Sequence, residues 1–482
     1  MNRPRRRDFL ATLAAGAAAG AWPLRARAAG AAPAAPARRP NILYLFTDQQ
    51  TAGAMSCAGC ADVRTPSLDA LAAAGTRFDN AYCTYPLCSP SRASMFTGKM
   101  PHEIGVMGNV QLLPEAGRQQ EMGWLFRNAG YDTAYAGKWH LPKQLMEEGH
   151  GFDILCGMDD ELVTEKCTAF LRQKRDQPFL LVGSFIEPHG ICSVTRFADP
   201  RRKIQIGTLS DVDPYDPSFL GRCPALPPNF AAASPRPEAV TARHSEGMDE
   251  EYGRKNAPRP AFWAPEEEFN AAAKWPPECY RYYRFAYYRW VERVDARIGQ
   301  VLAALREAGI EDDTLVIFSS DHGEMGGAHG LNMKRYFYQE AVRIPLLVRF
   351  GNRVRSGQVV GAPLVSNGLD LLPTLCDYAG LAPPPGLRGL SLRPLLEGQA
   401  PPDWRKELVV ECAKPDGRLL HTGRYKYMAY ASGAHPEELF DLENDPGELR
   451  NLAEEASHAE ELADCRRRLA AWRRENGDGP GT

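Results

Sequence analysis

Four apolar stretches of this chain each run into side chains that can hold protons, metals or anions. Asn41–Thr47 ends at Asp48-Gln49, and Asp132–Ala136 leads into Lys138-Trp139-His140. Phe179–Phe185 leads into Glu187-Pro188-His189, and Thr314–Phe318 into Asp321-His322-Gly323-Glu324. A short apolar run bounded by turn residues has the pattern of a buried strand. Ligands of open α/β sheets bind outside the carboxyl ends of the strands, so the four clusters are expected on one rim. There Asp48 and Asp321 would repel each other unless a cation or a proton lay between them. With Gln49 and His322 they make an oxygen-rich set with one imidazole, suited to a divalent cation such as Ca²⁺, Mg²⁺ or Mn²⁺. Lys138, Lys334 and Arg92 add positive charge for an anionic substrate. Together these groups suit displacement at a sulfuryl or phosphoryl centre, where charge stabilisation dominates.

The elements that must position these groups follow an α/β rhythm. Thr65-Pro66 opens a helix that Gly75 closes, and Met122–Asn128 is helical. A long helix is expected from about Tyr280 to Ala308, its stripe of Tyr280, Tyr283, Tyr287, Tyr288 and Trp290 serving the core. Ile344–Val348 is a further apolar run, where Pro345 marks an edge or a strand start. Near-continuous apolar strands alternating with helices predict a large, mostly parallel sheet covered on both faces. The catalytic domain is expected over 41–365. Residues of about 192–277 break the rhythm with 13 prolines from Pro200 to Pro277, as a disordered or a folded excursion over the active face. From 366 to 482 a smaller α+β subdomain is expected, with a strand at Tyr425–Met428 and a closing helix at Ala459–Trp472.

The 482 residues carry 57 Lys+Arg and 60 Asp+Glu, a net charge of -3. No basic surplus points to nucleic acid. No run after the N-terminus approaches the ~20 apolar residues of a membrane span. Residues 1–28 have a basic region, an apolar Ala/Gly/Leu region and the ending Ala26-Arg27-Ala28, the order of a signal peptide. Arg6-Arg7 before Asp8-Phe9-Leu10 resembles the twin-arginine export signal. Its removal takes away six Arg and one Asp, moving the net charge from -3 to -8. An Ala/Pro/Arg linker follows over 29–40, and the mature chain is expected in the periplasm or outside the cell. The twelve Cys are too irregularly spaced for a disulfide framework, and Cys57-x-x-Cys60 lacks the second pair of a zinc site.

Such a site needs a nucleophile, and Cys88 to Gly98 reads C-S-P-S-R-A-S-M-F-T-G. This resembles the signature of the Cys-type sulfatases, C-x-P-S-R-x-x-x-x-T-G. The likeness extends to Asp48, G-K-W-H at 137–140, P-H at 188–189, D-H-G-E at 321–324, H-G-L-N-M-K at 329–334 and E-L-F-D-L-E-N-D-P-G-E at 438–448. It implies the alkaline-phosphatase-like α/β fold with a smaller C-terminal antiparallel sheet. It also implies that Cys88 is oxidised to formylglycine by a maturation enzyme. Pro90 and Ser91 open a helix behind Cys88, whose N-terminus favours an anion. A hydrated aldehyde there carries two hydroxyls: one attacks sulfur, and the other expels sulfate by re-forming the carbonyl.

By matching position, the resemblance gives the metal to Asp48, Gln49, Asp321, His322 and the modified Cys88. Arg92 would orient the nucleophile, and Lys138 and Lys334 would hold the sulfate oxygens. His140 would assist hemiacetal breakdown, and His189 with Lys334 would protonate the leaving oxygen. His329 either lines the pocket or serves its loop; Lys99 and His102 are set outside the site. Two positions depart from the commonest pattern, Gln49 for a second Asp and His322 for Asn. Both weaken the family's Ca²⁺ and favour Mn²⁺ or another transition metal. The Gln/His variant also resembles relatives that cleave phosphonate or phosphate esters. The leading expectation is thus a sulfatase acting on a small or oligosaccharide sulfate ester. A phosphonate monoester or phosphodiester hydrolase on the same scaffold is the alternative, followed by a non-catalytic carbohydrate-binding relative.

Overall fold

The computed structural model describes residues 39–109, 120–141, 149–207, 212–231, 233, 235–245, 275–399 and 401–479. The leader over 1–28 and most of the linker lie outside these residues.

The central sheet grows from the expected apolar runs. β1 (Asn41–Asp48) pairs in parallel with β6 (Phe179–Pro188) on one side and β7 (Thr314–Ser320) on the other. β4 (Asp132–Gly137) and β5 (Asp153–Cys156) extend the β6 side, again in parallel. Beyond β7 come β8 (Leu346–Arg349), β2 (Thr76–Phe78) and β9 (Gln358–Val360), in the order β5-β4-β6-β1-β7-β8-β2-β9. β8 alone runs antiparallel to its neighbours. Pro345 therefore marks a strand start, on an interior strand.

β1, β6 and β7 are buried almost end to end because helices cover both faces. On one face Tyr44, Phe46, Val182 and Ile317 pack with Ala93, Met95 and Phe96 of the helix Cys88–Thr97. Leu369, Leu372 and Leu375 of the helix Asn367–Ala379 join the same core. That helix, in the stretch given to the C-terminal subdomain, lies against the Cys88 helix, and its Asn367 Nδ2 donates to Ser320 O at 2.7 Å. On the other face Leu43, Leu45, Leu181 and Phe318 meet Leu68, Val163, Val294, Ile298 and Val301. These come from the helices Pro66–Ala73, Asp160–Leu171 and Pro277–Glu307.

The long helix Pro277–Glu307 overshoots the sheet, and its aromatic N-terminal half is covered by the described part of the proline-rich excursion. Ile204, Phe219, Cys223 and Trp275 pack on Tyr280, Tyr282, Tyr283 and Phe285. Arg281 reaches back to the carbonyls of Leu220, Cys223 and Pro224 at 2.8–2.9 Å. These described segments are a folded excursion with its own apolar core. The short strands β3 (Ala81–Tyr82) and β10 (Val365–Ser366) pair in parallel, and the C-terminal sheet is antiparallel: β11 (Leu408–Ala413), β12 (Asp416–His421), β13 (Tyr425–Tyr430) and β14 (Glu437–Asp441). The helix Ala459–Asn476 packs on it through Leu462, Cys465 and Leu469. Among the described residues no helix is long and apolar enough to cross a membrane.

Candidate active site

Neighbouring strands bring the polar clusters together. β4, β6, β1 and β7 are adjacent, so their carboxyl ends form one rim. Thr47 is paired with Ser320, which sets Asp48 and Asp321 side by side one residue further on. Gly137, at the end of β4, has φ 109, and a Cβ there would lie 1.9 Å from Ser184 O. Only glycine lets the chain turn Lys138 inward at this crossing.

Cys88 is the first residue of the helix Cys88–Thr97, every residue of which is buried. Its Sγ lies 3.1 Å from Lys334 Nζ, 3.3 Å from His322 Nε2, 3.8 Å from Asp48 Oδ1 and 3.9 Å from Lys138 Nζ. His140 and His189 flank the thiol as well. Burial pushes the thiol up, but Lys138, Lys334 and His322 outweigh it and hold the thiol well below its usual range. An electropositive surround at a helix N-terminus is the environment of a reactive cysteine. The other eleven cysteines are free thiols as well, Cys57 and Cys60 included.

Arg92, one turn along the helix, is fully buried and joins the two carboxylates. Its Nε lies 2.8 Å from Asp321 Oδ2 and its NH2 2.8 Å from Asp48 Oδ2, while NH1 donates to Lys138 O and to Ser184 Oγ. The resemblance would have Arg92 orient the nucleophile; its hydrogen bonds here go to the carboxylates that flank it. Lys138 Nζ adds a second contact to Asp48, at 2.6 Å. Burial and Cys88 oppose the charge on Asp48, but Lys138, His189 and Arg92 keep its carboxyl well below the usual range. Burial, and then Asp48, push the Asp321 carboxyl up.

One ligand atom each from Asp48, Cys88, Asp321 and His322 lies within 4.8 Å of the others, all buried. His322 Nδ1 sits 3.0 Å from Gly323 O, which fixes the proton on Nδ1 and leaves Nε2 free to ligate. Two carboxylates, an imidazole nitrogen and the residue-88 atom fit a divalent cation by donor chemistry. Gln49, which the resemblance adds to this shell, also meets other buried side chains. Its Oε1 accepts from Lys334 Nζ at 2.9 Å and from Cys192 Sγ at 3.1 Å, and its Nε2 donates to Glu324 Oε2 at 2.5 Å.

His189 stands 4.0 Å from Asp48 Oδ1 with its side chain 24% exposed, whereas Lys138 is 3% exposed. Burial, Lys138 and Lys334 lower its pKa to about 4. His140 is partly exposed, with a buried Nδ1 that has no partner among the described residues. These two imidazoles therefore line the side open to solvent. His329 takes the loop role. It is buried, its ring stacks on Tyr338 at 4.0 Å, and its Nε2 is 3.4 Å from Asn229 Nδ2. It clusters with Glu340 and Glu448, where Lys426 Nζ, 2.5 Å from Glu448 Oε1, already supplies the cation. His102 pairs with Glu411 of β11 and accompanies Trp472, away from the rim.

The sequence pattern gave Ser184 and Glu324 no role of their own and assigned Tyr283 and Tyr287 to the core. Tyr283 OH donates to Glu324 Oε1 at 2.8 Å, and Tyr287 OH to Gln49 O at 2.9 Å. Both belong to the stripe assigned to core packing. Their i, i+4 spacing on the face nearest the rim was the available signal.

Residues 40–381 match the family described as Sulfatase. Residues 327–475 match the family described as N-sulphoglucosamine sulphohydrolase, C-terminal. An N-acetylglucosamine-6-O-sulfatase of Bacteroides thetaiotaomicron is 29% identical over 88% of this chain and 84% of that protein. A solved structure in complex with its substrate, D-glucosamine-2-N,6-O-disulfate, is similar with a TM-score of 0.73 at 26% identity, covering 92% of this chain and 99% of that one. The phosphonate monoester hydrolase of Agrobacterium radiobacter shares the fold, with a TM-score of 0.70 at 23% identity over 91% of this chain and 96% of that one.

Proposed function

The chain belongs to the sulfatase family and is a sulfuric ester hydrolase, and on that premise we propose that it hydrolyses a sulfate ester of a carbohydrate through a nucleophile made from Cys88. The observation that carries this reading is the setting of Cys88 Sγ, with Lys334 at 3.1 Å, His322 at 3.3 Å, Asp48 at 3.8 Å and Lys138 at 3.9 Å. Converted to formylglycine by a maturation enzyme and hydrated, residue 88 supplies one hydroxyl for attack on sulfur and another whose deprotonation releases sulfate. A divalent cation held by Asp48, Asp321, His322 and residue 88 would supply Lewis acidity to the attacking hydroxyl and to a sulfate oxygen. Ca²⁺ follows from the family; the imidazole favours Mn²⁺ or another transition metal.

The chain's own residues do the rest. Lys138 and Lys334 bind the sulfate oxygens as fixed charges in a site shielded from water. Arg92 bridges the two carboxylates, which fixes the ligand side of the site. His189 stands between the buried cations and solvent; a bound sulfate would offset the Lys138 and Lys334 charges that lower its pKa, and it then protonates the departing alcohol oxygen. His140, the other partly exposed imidazole, accepts the hydroxyl proton when sulfate leaves. Partners are then a sulfated sugar, the maturation enzyme and, from residues 1–28, the export machinery. Exchanging Arg6 and Arg7 for Lys should retain the precursor in the cytoplasm, and normal export would remove that part of the reading.

Sulfate release from a panel of sulfated mono- and oligosaccharides tests the substrate class; no release from any of them defeats it. One observation favours a second reaction: His322 and Gln49 stand where many sulfatases carry Asn and Asp. Paired rates on a sulfate and a phosphonate ester of the same phenol decide between the two. A faster sulfate reaction supports the proposal, and a faster phosphonate reaction replaces it.

A further inference from the structure

His189 owes its place to a break in the strand that leads to it. β1 and β6 stay in register from Ile42 with Leu180 to Phe46 with Ser184, but the next pair is Asp48 with Pro188. A step of two residues on β1 thus matches a step of four on β6, which arcs out over Phe185, Ile186 and Glu187 before it returns. Bulges beside active sites re-aim the side chains that follow them. Here the return sets Pro188 beside Asp48, and His189 Nε2 stands 4.0 Å from Asp48 Oδ1.

Backbone that leaves a ladder must find new partners. Asp160, the first residue of the helix Asp160–Leu171, supplies them: Oδ1 accepts from Ile186 N at 2.7 Å and Oδ2 from Glu187 N at 3.0 Å. The Glu187 side chain is held by the long helix Pro277–Glu307. Arg293 forks onto it, with Nε on Oε2 at 3.0 Å and NH2 on Oε1, and Arg297 NH1 adds a contact to Oε2 at 2.9 Å. On the other side of His189, a Cβ on Gly190 would touch the Trp290 indole at 3.4 Å. Trp290, Arg293 and Arg297 are spaced i, i+3, i+7, so one face of one helix grips the chain before and after His189. The Glu187 side chain is 10% exposed and that of Arg293 41%, so the fork stands where the interior meets solvent. A bidentate guanidinium–carboxylate pair fixes direction as well as distance.

We propose that Glu187 and Arg293 are positioning residues that act through His189: the fork between them holds the arc of β6, and the arc holds the imidazole where the leaving oxygen departs. This rests on the reading that His189 protonates that oxygen.

The test uses the full-length matured enzyme and aryl esters graded in leaving-group basicity, sulfates or phosphonates as the parent prefers. Glu187→Gln keeps the shape and removes the charge. On the ester of the most basic phenol it should cost about 10- to 100-fold in kcat/KM, part of the roughly 10²–10⁴-fold that a placed general acid supplies. On the most acidic phenol, which leaves without a proton, it should cost less than about 3-fold. The dependence of rate on basicity should therefore steepen, as it should in His189→Ala. Added to His189→Ala, Glu187→Gln should cost less than about 3-fold on any ester, because the group it aims is gone. Arg293→Ala should show the same selective loss in smaller measure, since Arg297 remains, and Arg293→Lys should recover part of it by keeping the charge without the fork. A clamp that served the fold alone would slow all esters alike. Equal losses across the series in Glu187→Gln, or full additivity with His189→Ala, overturn the proposal and leave the role of His189 standing. An unchanged slope in His189→Ala defeats the reading of His189 as proton donor, and the proposal falls with it.

Discussion

Replacing Arg92 by Met should make the stability of the site depend on a bound cation. The Arg92 side chain is 0% exposed and so are both carboxylates it joins, each at 2.8 Å. Removing one partner of a buried ion pair costs about 3–5 kcal/mol, most of it the penalty of an uncompensated buried charge. Two pairs break here, but the losses do not double. Asp48 keeps Lys138 at 2.6 Å, and Asp321 has His322 Nε2 at 3.6 Å. We therefore expect metal-free Arg92→Met to lose about 3–5 kcal/mol in urea unfolding. Arg92→Lys should fall between, because one ammonium can serve one carboxylate but not both. A divalent cation should recover more stability in Arg92→Met than in the parent, since it alone can then balance Asp48 and Asp321. At 100 times its Kd a ligand adds about 2.7 kcal/mol, enough to see against the deficit. The assay is urea unfolding of chelator-stripped protein with and without Ca²⁺ or Mn²⁺. A metal-free Arg92→Met within about 1 kcal/mol of the parent would refute the charge-balance argument.

His322→Asn restores the commoner sulfatase ligand and should shift metal preference toward Ca²⁺ with measurable sulfatase activity retained. Elemental analysis after equilibration with mixed Ca²⁺ and Mn²⁺ reads this, and an unchanged ratio puts His322 outside the shell. Glu438 in β14 is fully buried against Tyr338 and Tyr430, and burial, with Glu448 nearby, pushes its carboxyl up from 4.5 to about 7. A raised carboxyl pKa adds stability that is fully present below pH 4.5 and lost as pH rises through about 7. Between pH 5 and 8 the parent should lose up to about 3 kcal/mol through this group, and Glu438→Gln should flatten the profile. An identical pH profile in the variant would dismiss that role for Glu438.

The strands were legible because β1, β6 and β7 are buried on both faces, which makes their apolar runs continuous and their ends sharp. Once four strand ends carried titratable groups, adjacency in a parallel sheet did the rest. Two things were not legible. Gln49 followed the chemistry of its position in the sequence, but its amide is oriented by Glu324, which is 275 residues away. The helix Asn367–Ala379 gave no sign of which layer it joins, because an amphipathic stripe says that a face is buried and not against what. Arg92 was read as orienting the nucleophile and its ion pairs go to Asp48 and Asp321, since a helix N-terminus next to two strand ends can aim one guanidinium at either the nucleophile or the carboxylates. For His329 the sequence left the pocket and the loop both open, because its motif holds Lys334 as well; its ring packs under Tyr338.

The central claim is that Cys88 becomes the nucleophile of a sulfate ester hydrolase, and the most direct measurement joins mass to turnover. Protein made with and without a formylglycine-generating maturation enzyme is digested, and the mass of the Cys88 peptide is read beside sulfate release from the best substrate of the panel. The account predicts that release rises in proportion to the fraction of peptide carrying the aldehyde, and that Cys88→Ala folds normally and releases none. Full activity in protein whose Cys88 peptide carries only the unmodified thiol would contradict it.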